Sequence, residues 1–120
     1  MATKNYDANR SDYKTHAGMF GPILNFLGLT QFDIDVCCTE KNIPAKMHFT
    51  KAINGLVQNW IGFCFMNPPF KTAISWVRKA VISVIENNCE VWAVLPTNRT
   101  EVGYYHDYIF NNKDCVFGFL

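Results

Sequence analysis

Gly62-Phe63-Cys64-Phe65-Met66-Asn67-Pro68-Pro69-Phe70 is the stretch on which the fold turns. Its first five residues form a continuous apolar run, the pattern of a strand buried on both faces. The run stops at Asn67-Pro68-Pro69, where two prolines deny a strand its ladder donors. Downstream, Ile74, Val77, Val81, Val84 and Ile85 recur at spacings of three and four. That spacing predicts a helix from about Thr72 to Asn87 with those side chains as its apolar stripe. Val91-Trp92-Ala93-Val94-Leu95 then reads as a second buried strand, closed by Pro96. Strand, helix and strand in that order predict parallel pairing, because a helical crossover returns the chain to the same end of the sheet.

Outward from this unit the pattern continues. Phe32-Asp33-Ile34-Asp35-Val36-Cys37-Cys38 alternates as a strand does, with Asp35 towards its C-terminal end. Before it, Phe20, Ile23, Leu24, Phe26 and Leu27 predict a short helix with Pro22 in its first turn and Gly28 as its stop. Residues 39 to 52 are polar and basic, contain Pro44, and read as a connection. Residues 1 to 12 read as a polar tail, leaving one domain over residues 13 to 120. Tyr104, Tyr105, Tyr108 and Ile109 suggest a helix over 101–110, and Cys115 to Leu120 a strand running to the last residue. That abrupt apolar ending fits a natural terminal strand or a shortened chain. The fold class is α/β with a mostly parallel sheet, Rossmann-like and small.

Composition narrows the function classes. In 120 residues, 49% are hydrophobic and 18% charged, enough apolar material for a core and no signature of disorder. Ten Phe, five Tyr and three Trp make an aromatic-rich interior, and Trp60, Trp76 and Trp92 read as core. A net charge of +1 excludes binding to nucleic acid or membrane by bulk positive charge, while leaving a local basic patch open. No apolar run approaches the roughly 20 residues of a membrane span, and the polar start carries no apolar signal core. A cytoplasmic location without membrane partners is therefore expected. Cys37, Cys38, Cys64, Cys89 and Cys115 contain no Cys-x-x-Cys pair, and His16, His48 and His106 are scattered. Free thiols and no metal site are the expectation.

Most of the chemistry sits in Asn67-Pro68-Pro69-Phe70. Open α/β sheets bind ligands beyond the carboxyl ends of their strands, where this loop falls. The two prolines stiffen it and remove donors, leaving the Asn67 amide oxygen and the Pro68 carbonyl as paired acceptors. Such a pair suits a planar group with an exposed –NH₂, and Phe70 offers a face for a ring to stack on. An exocyclic base amine meets these demands, and a base in a duplex would have to flip out to reach them. The bland alternative is a proline-rich loop in which Asn67 caps the next helix. Lys41, Lys46, His48, Lys51, Arg78, Lys79 and Arg99 are candidates for phosphate contact or, equally, a solvated face.

The sequence resembles S-adenosylmethionine-dependent amino-methyltransferases, and more narrowly the phage-encoded DNA N-6-adenine methyltransferase family, over roughly residues 12 to 120. Besides Asn67-Pro68-Pro69-Phe70, the resemblance is carried by Phe32 to Cys38 with Asn42, Gly55-Leu56, Gln58-Asn59-Trp60, Ile74 with Trp76 to Ala80, and Val94-Leu95-Pro96 with Thr97, Arg99, Thr100 and Tyr105-His106. It implies site-specific methyl transfer from S-adenosylmethionine to the adenine N6 amine of double-stranded DNA, serving phage DNA modification against host restriction. It also implies that Asn67 and Pro68 orient the amine, with Pro69 completing the catalytic loop, that Phe70 stacks on the base, and that Asp35 lies near the methionine part of the cofactor. Lys41, Lys46 and Arg99 then become the DNA contacts. Tyr13-Lys14-Thr15-His16 stands where the family has Trp-x-Thr-Pro, which implicates Tyr13 and Thr15 in cofactor binding with a His in place of the Pro. Cys37-Cys38-Thr39 stands where a glycine turn would approach the cofactor, which brings Cys37 into the cofactor set. The alternatives are an impaired remnant that binds DNA or a protein, or a methyltransferase acting on RNA or on protein glutamine. Monomer and homodimer are both compatible with the sequence.

Overall fold

The computed structural model describes residues 17–95. The expected tail, the helix over 101–110, the strand over 115–120 and residues Tyr13, Thr15, Arg99 and Cys115 lie outside the described residues. Within them the chain runs α1 (Ala17–Leu27), β1 (Phe32–Cys38), β2 (Ala45–Thr50), β3 (Phe63–Met66), α2 (Ala73–Asn87) and β4 (Glu90–Ala93). The four strands form one sheet in the order β2-β1-β3-β4, and every pairing is parallel. The α/β class with a parallel sheet is as the sequence predicts.

β2 is the element the sequence pattern hides. Ala45–Thr50 reads as part of a basic connection, yet it pairs along β1 from Phe32↔Ala45 to Cys38↔Thr50. It is an edge strand among the described residues, with Lys46 and Met47 exposed and Phe49 alone fully buried. An edge strand needs only one apolar contact face, so its charged residues mask it. The crossover from β1 to β2 is residues 39–44 alone, with no helix, and Ile43 anchors it in the core.

Two apolar layers flank the sheet. On one side Ile34, Val36, Cys64 and Met66 pack with Trp60 and the α2 residues Ala73, Trp76, Val77 and Ala80. On the other, Phe32 and Phe65 pack with Ile23 and Leu24 of α1 and with Ile43. Trp60 is wholly buried, stacks on Trp76 with ring centroids 6.2 Å apart, and donates from Nε1 to the Gly55 carbonyl at 2.8 Å. Gly55 has no room for a side chain: a Cβ there would strike the Val36 carbonyl oxygen. The Gly55–Trp60 segment thus clamps the far side of β1 to α2. Trp60 and Trp76 are core as expected, and Trp92 is half-buried.

Two helix expectations need correction. α2 buries Ala73, Trp76, Val77, Ala80 and Ser83, whereas Ile74 and Ile85 are 37% and 65% exposed. The small residues face the sheet because the bulky Trp60–Trp76 pair already fills the space between helix and strands. α1 begins at Ala17, so Pro22 lies inside it rather than in its first turn. Gly28 does end it: φ is +70°, and Leu29 N–H donates to the Leu24 carbonyl at 2.9 Å and Gly28 N–H to that of Asn25 at 3.2 Å. That is a Schellman closure, in which glycine takes the left-handed position without a Cβ penalty.

Candidate functional site

The strand order fixes where a ligand fits. From β1 the chain crosses one way to β2, and β3 then lies on the other side of β1. The order therefore reverses between β1 and β3, and the crevice beyond their carboxyl ends is the topological switch point where open α/β sheets bind ligands. The end of β3 supplies Asn67-Pro68-Pro69-Phe70 there, and the end of β1 supplies Cys37-Cys38-Thr39 with Asp35 just below.

Met66 is buried at the end of β3, Pro68 is fully buried, and Asn67, Pro69 and Phe70 are half-buried. The loop passes into a 3₁₀ turn, Phe70–Thr72, whose cap is Pro69 at φ −60° and ψ 136°. Thr72 N–H donates to the Pro69 carbonyl at 3.2 Å, and α2 follows with Thr72 as its own cap. Asn67 therefore is not the helix cap of the bland alternative. The packed Pro68 ring and the short turn hold the loop rigid, which positions neighbouring groups better than a free loop would.

Asp35 is 2% exposed, inside β1 rather than at its tip, with Phe65 of β3 and His48 of β2 as its partners across the two ladders. Burial pushes its carboxyl up to about 6, against the pull of His48 and of a hydrogen bond from the Cys37 N–H. That local bond coincides with a bulge: Asp35 pairs with His48 but Cys38 with Thr50, so β1 carries an extra residue over this stretch. Bulges of this kind re-aim side chains beside sites, and here one stands where the sequence lacks a glycine turn. Cys37 is half-buried, and burial pushes its thiol up to about 12, so it remains a neutral thiol. Cys38, Cys64 and Cys89 are buried free thiols. Among the described residues no group of His, Cys, Asp and Glu is arranged to hold a metal ion.

The candidate cations separate. Lys41 follows the end of β1 and acts electrostatically on Cys38. Lys46 is not brought to the crevice: it begins β2 at the other end of the strands and pairs with Asp33 at 3.2 Å. Asp33 also accepts from Phe63 N–H at 2.8 Å, and that bond, with Lys46, holds its carboxyl below the usual range. A shallow concavity of about 330 Å³ lies at that same far end, lined by Leu29, Thr30, Gln31, Asp33, Lys46 and Phe63. Its lining is an ion pair and the strand entries, remote from the loop. His48 is half-buried with Nε2 2.7 Å from the Ile43 carbonyl oxygen, so it serves the sheet and Asp35 rather than a phosphate. The cross-strand partnership of Asp35 and His48 has no signal in the sequence, because β2 itself has none. Lys71, exposed beside Phe70, is a candidate the sequence reading lacks, although its place next to the loop is a signal for it.

S-adenosylmethionine carries two cationic groups, an ammonium and a sulfonium. A buried carboxylate held at a desolvation cost suits a cationic ligand group, and Asp35 is such a carboxylate in the strand that leads to the switch point. The residues present fit that cofactor's ammonium.

Comparison with known proteins bears on the same residues. Residues 2–117 match the family described as DNA N-6-adenine-methyltransferase (Dam). A curated relative, the DNA N-6-adenine-methyltransferase of Haemophilus phage HP1 (strain HP1c1), is 33% identical over 89 residues, which is 72% of this chain and 50% of that protein. The chain thus spans about half the length of the relative it matches. No solved structure matches.

Proposed function

Because the chain belongs to the DNA N-6-adenine-methyltransferase (Dam) family, we propose that it methylates the N6 amine of adenine in DNA, with S-adenosylmethionine as donor. The observation that carries this reading is the Asn67-Pro68-Pro69-Phe70 loop, held rigid at the switch point beside a buried carboxylate. S-adenosylmethionine, when bound, supplies an electrophilic methyl group on a sulfonium. Asp35 holds its ammonium, with Cys37 lining the approach as a neutral thiol.

Asn67 and Pro68 do the positioning. Their two oxygens accept the two N–H bonds of the amine, which turns its lone pair towards attack and draws the nitrogen towards tetrahedral geometry. Phe70 stacks against the flipped base and supports its removal from the duplex. Methyl transfer would form the N–C bond as the sulfonium C–S bond breaks to leave a neutral thioether, and the same oxygens would stabilise the positive amine nitrogen until its proton passes to water. No covalent enzyme intermediate is needed. Tyr13 and Thr15 keep the cofactor roles that the family resemblance implies, and Arg99 that of a phosphate contact. The phage origin of the relative supports a role in modifying phage DNA, in the host cytoplasm. No described helix is long and apolar enough to cross a membrane.

The test is methyl transfer to unmethylated DNA, digested to nucleosides and read by mass spectrometry, with Asn67→Ala alongside. N6-methyladenine from the native chain, reduced at least about a hundredfold in the variant, is expected, the magnitude typical of removing one positioned transition-state contact. Product from a folded Asn67→Ala at the native rate removes the loop from the mechanism.

A further inference from the structure

Apart from Asp35 within β1 and Arg78 and Lys79 along α2, the described charges divide between the two ends of the sheet. At the amino ends of the strands lie Asp33, Lys46, Glu86 at the end of α2 and Glu90 at the start of β4. At the carboxyl ends, around the crevice, lie Lys41 after β1, Lys51 directly after β2 and Lys71 directly after Phe70, all exposed. Glu40 is the one exposed acid at that end among the described residues. Among the described residues the exposed charge at the two ends is therefore polarised, with the positive end at the crevice. α2 adds to the same sign, since its N-terminus opens there with no acidic residue in its first turn.

We infer that Lys51 and Lys71, with Lys41, form a cationic rim that seats the phosphate backbone of double-stranded DNA over the crevice. This rests on the methyltransferase reading above and adds to it the surface on which the duplex lies. The three lysines follow three consecutive strands in sheet order, β2, β1 and β3, so they line one edge of the sheet rather than one loop. Lys71 stands beside Phe70, so a phosphate held there flanks the nucleotide whose base is flipped. The rim binds without reading sequence, because phosphate contacts set register and orientation only.

The experiment is a fluorescence-anisotropy titration of the full chain with a labelled mixed-sequence duplex across a range of salt concentrations. Each phosphate contact contributes about 0.9 to the slope of log affinity against log salt. Lys51→Gln and Lys71→Gln are each expected to reduce the slope by about that amount. Lys46→Gln, at the opposite end, should leave it unchanged. Native slopes in both rim variants, or an equal loss in Lys46→Gln, overturn the rim. Methyl incorporation by the native chain is measured in parallel. Methylation with native slopes in the rim variants removes the rim alone, whereas a native chain with neither salt-dependent binding nor methylation removes the DNA reading with it.

Discussion

Asp35→Asn is expected to stabilise the protein at neutral pH while weakening its hold on the cofactor. In the folded chain burial raises the Asp35 carboxyl from its ordinary 3.8 to about 6. An acid whose folded value is raised binds more protons in the folded state between the two values, so stability falls as pH rises through that window. Above it both states are ionised and the full penalty stands. A rise of that size corresponds to about 3 kcal/mol. The amide that replaces the carboxyl has the shape of the neutral acid and still accepts from the Cys37 N–H, so the variant escapes the charge penalty. Urea unfolding of both proteins at about pH 4.5 and about pH 8 should show the advantage of the variant widening by about 2 kcal/mol. The widening is the decisive quantity, since a constant offset reflects only the difference between an amide and a carboxylic acid. A difference that stays constant between the two pH values refutes the burial argument. The same variant should bind S-adenosylmethionine about tenfold or more weakly by calorimetry, the loss of a charged hydrogen bond. Greater stability with poorer binding would mark Asp35 as a residue kept for its charge and not for the fold.

Other outcomes follow from the packing. Gly55→Ala drives a methyl into the Val36 carbonyl and should destabilise by about 2 kcal/mol or more, read as a lower urea midpoint with an unchanged slope. Trp60→Phe removes the indole donor to the Gly55 carbonyl, which keeps its bond from the Gln58 N–H, so the loss should be about 1 kcal/mol by the same measurement. Cys64 is fully buried and burial pushes its thiol up to about 12, so alkylation at neutral pH should label it only at the rate of unfolding, as peptide mapping over time would show. Phe70→Ala should reduce methyl transfer while Phe70→Tyr retains it, because stacking needs the ring and not its edge.

The central unit is legible from local pattern: the apolar run before Asn67, the helix after it and the strand at Val91. Each is a local pattern of burial, and burial on both faces leaves an unbroken apolar signature. The Asn67-Pro68-Pro69-Phe70 loop was legible for the same reason, being a short run of residues whose chemistry does not depend on distant neighbours. Tertiary structure alone decided what depends on partners. β2 is a strand because β1 offers it a ladder, although its own side chains are mostly polar and exposed. The buried face of α2 carries Ala73, Ala80 and Ser83 because the Trp60–Trp76 pair takes the volume that the isoleucines would fill. Lys46 and Lys51 sit in one basic segment, yet a strand's length separates them, one tied to Asp33 and the other beside the crevice. Asp35 acquires its raised proton affinity only when the folded chain excludes water from it. Sequence spacing carries the chemistry of each residue, and the dielectric and the company it keeps are properties of the folded chain.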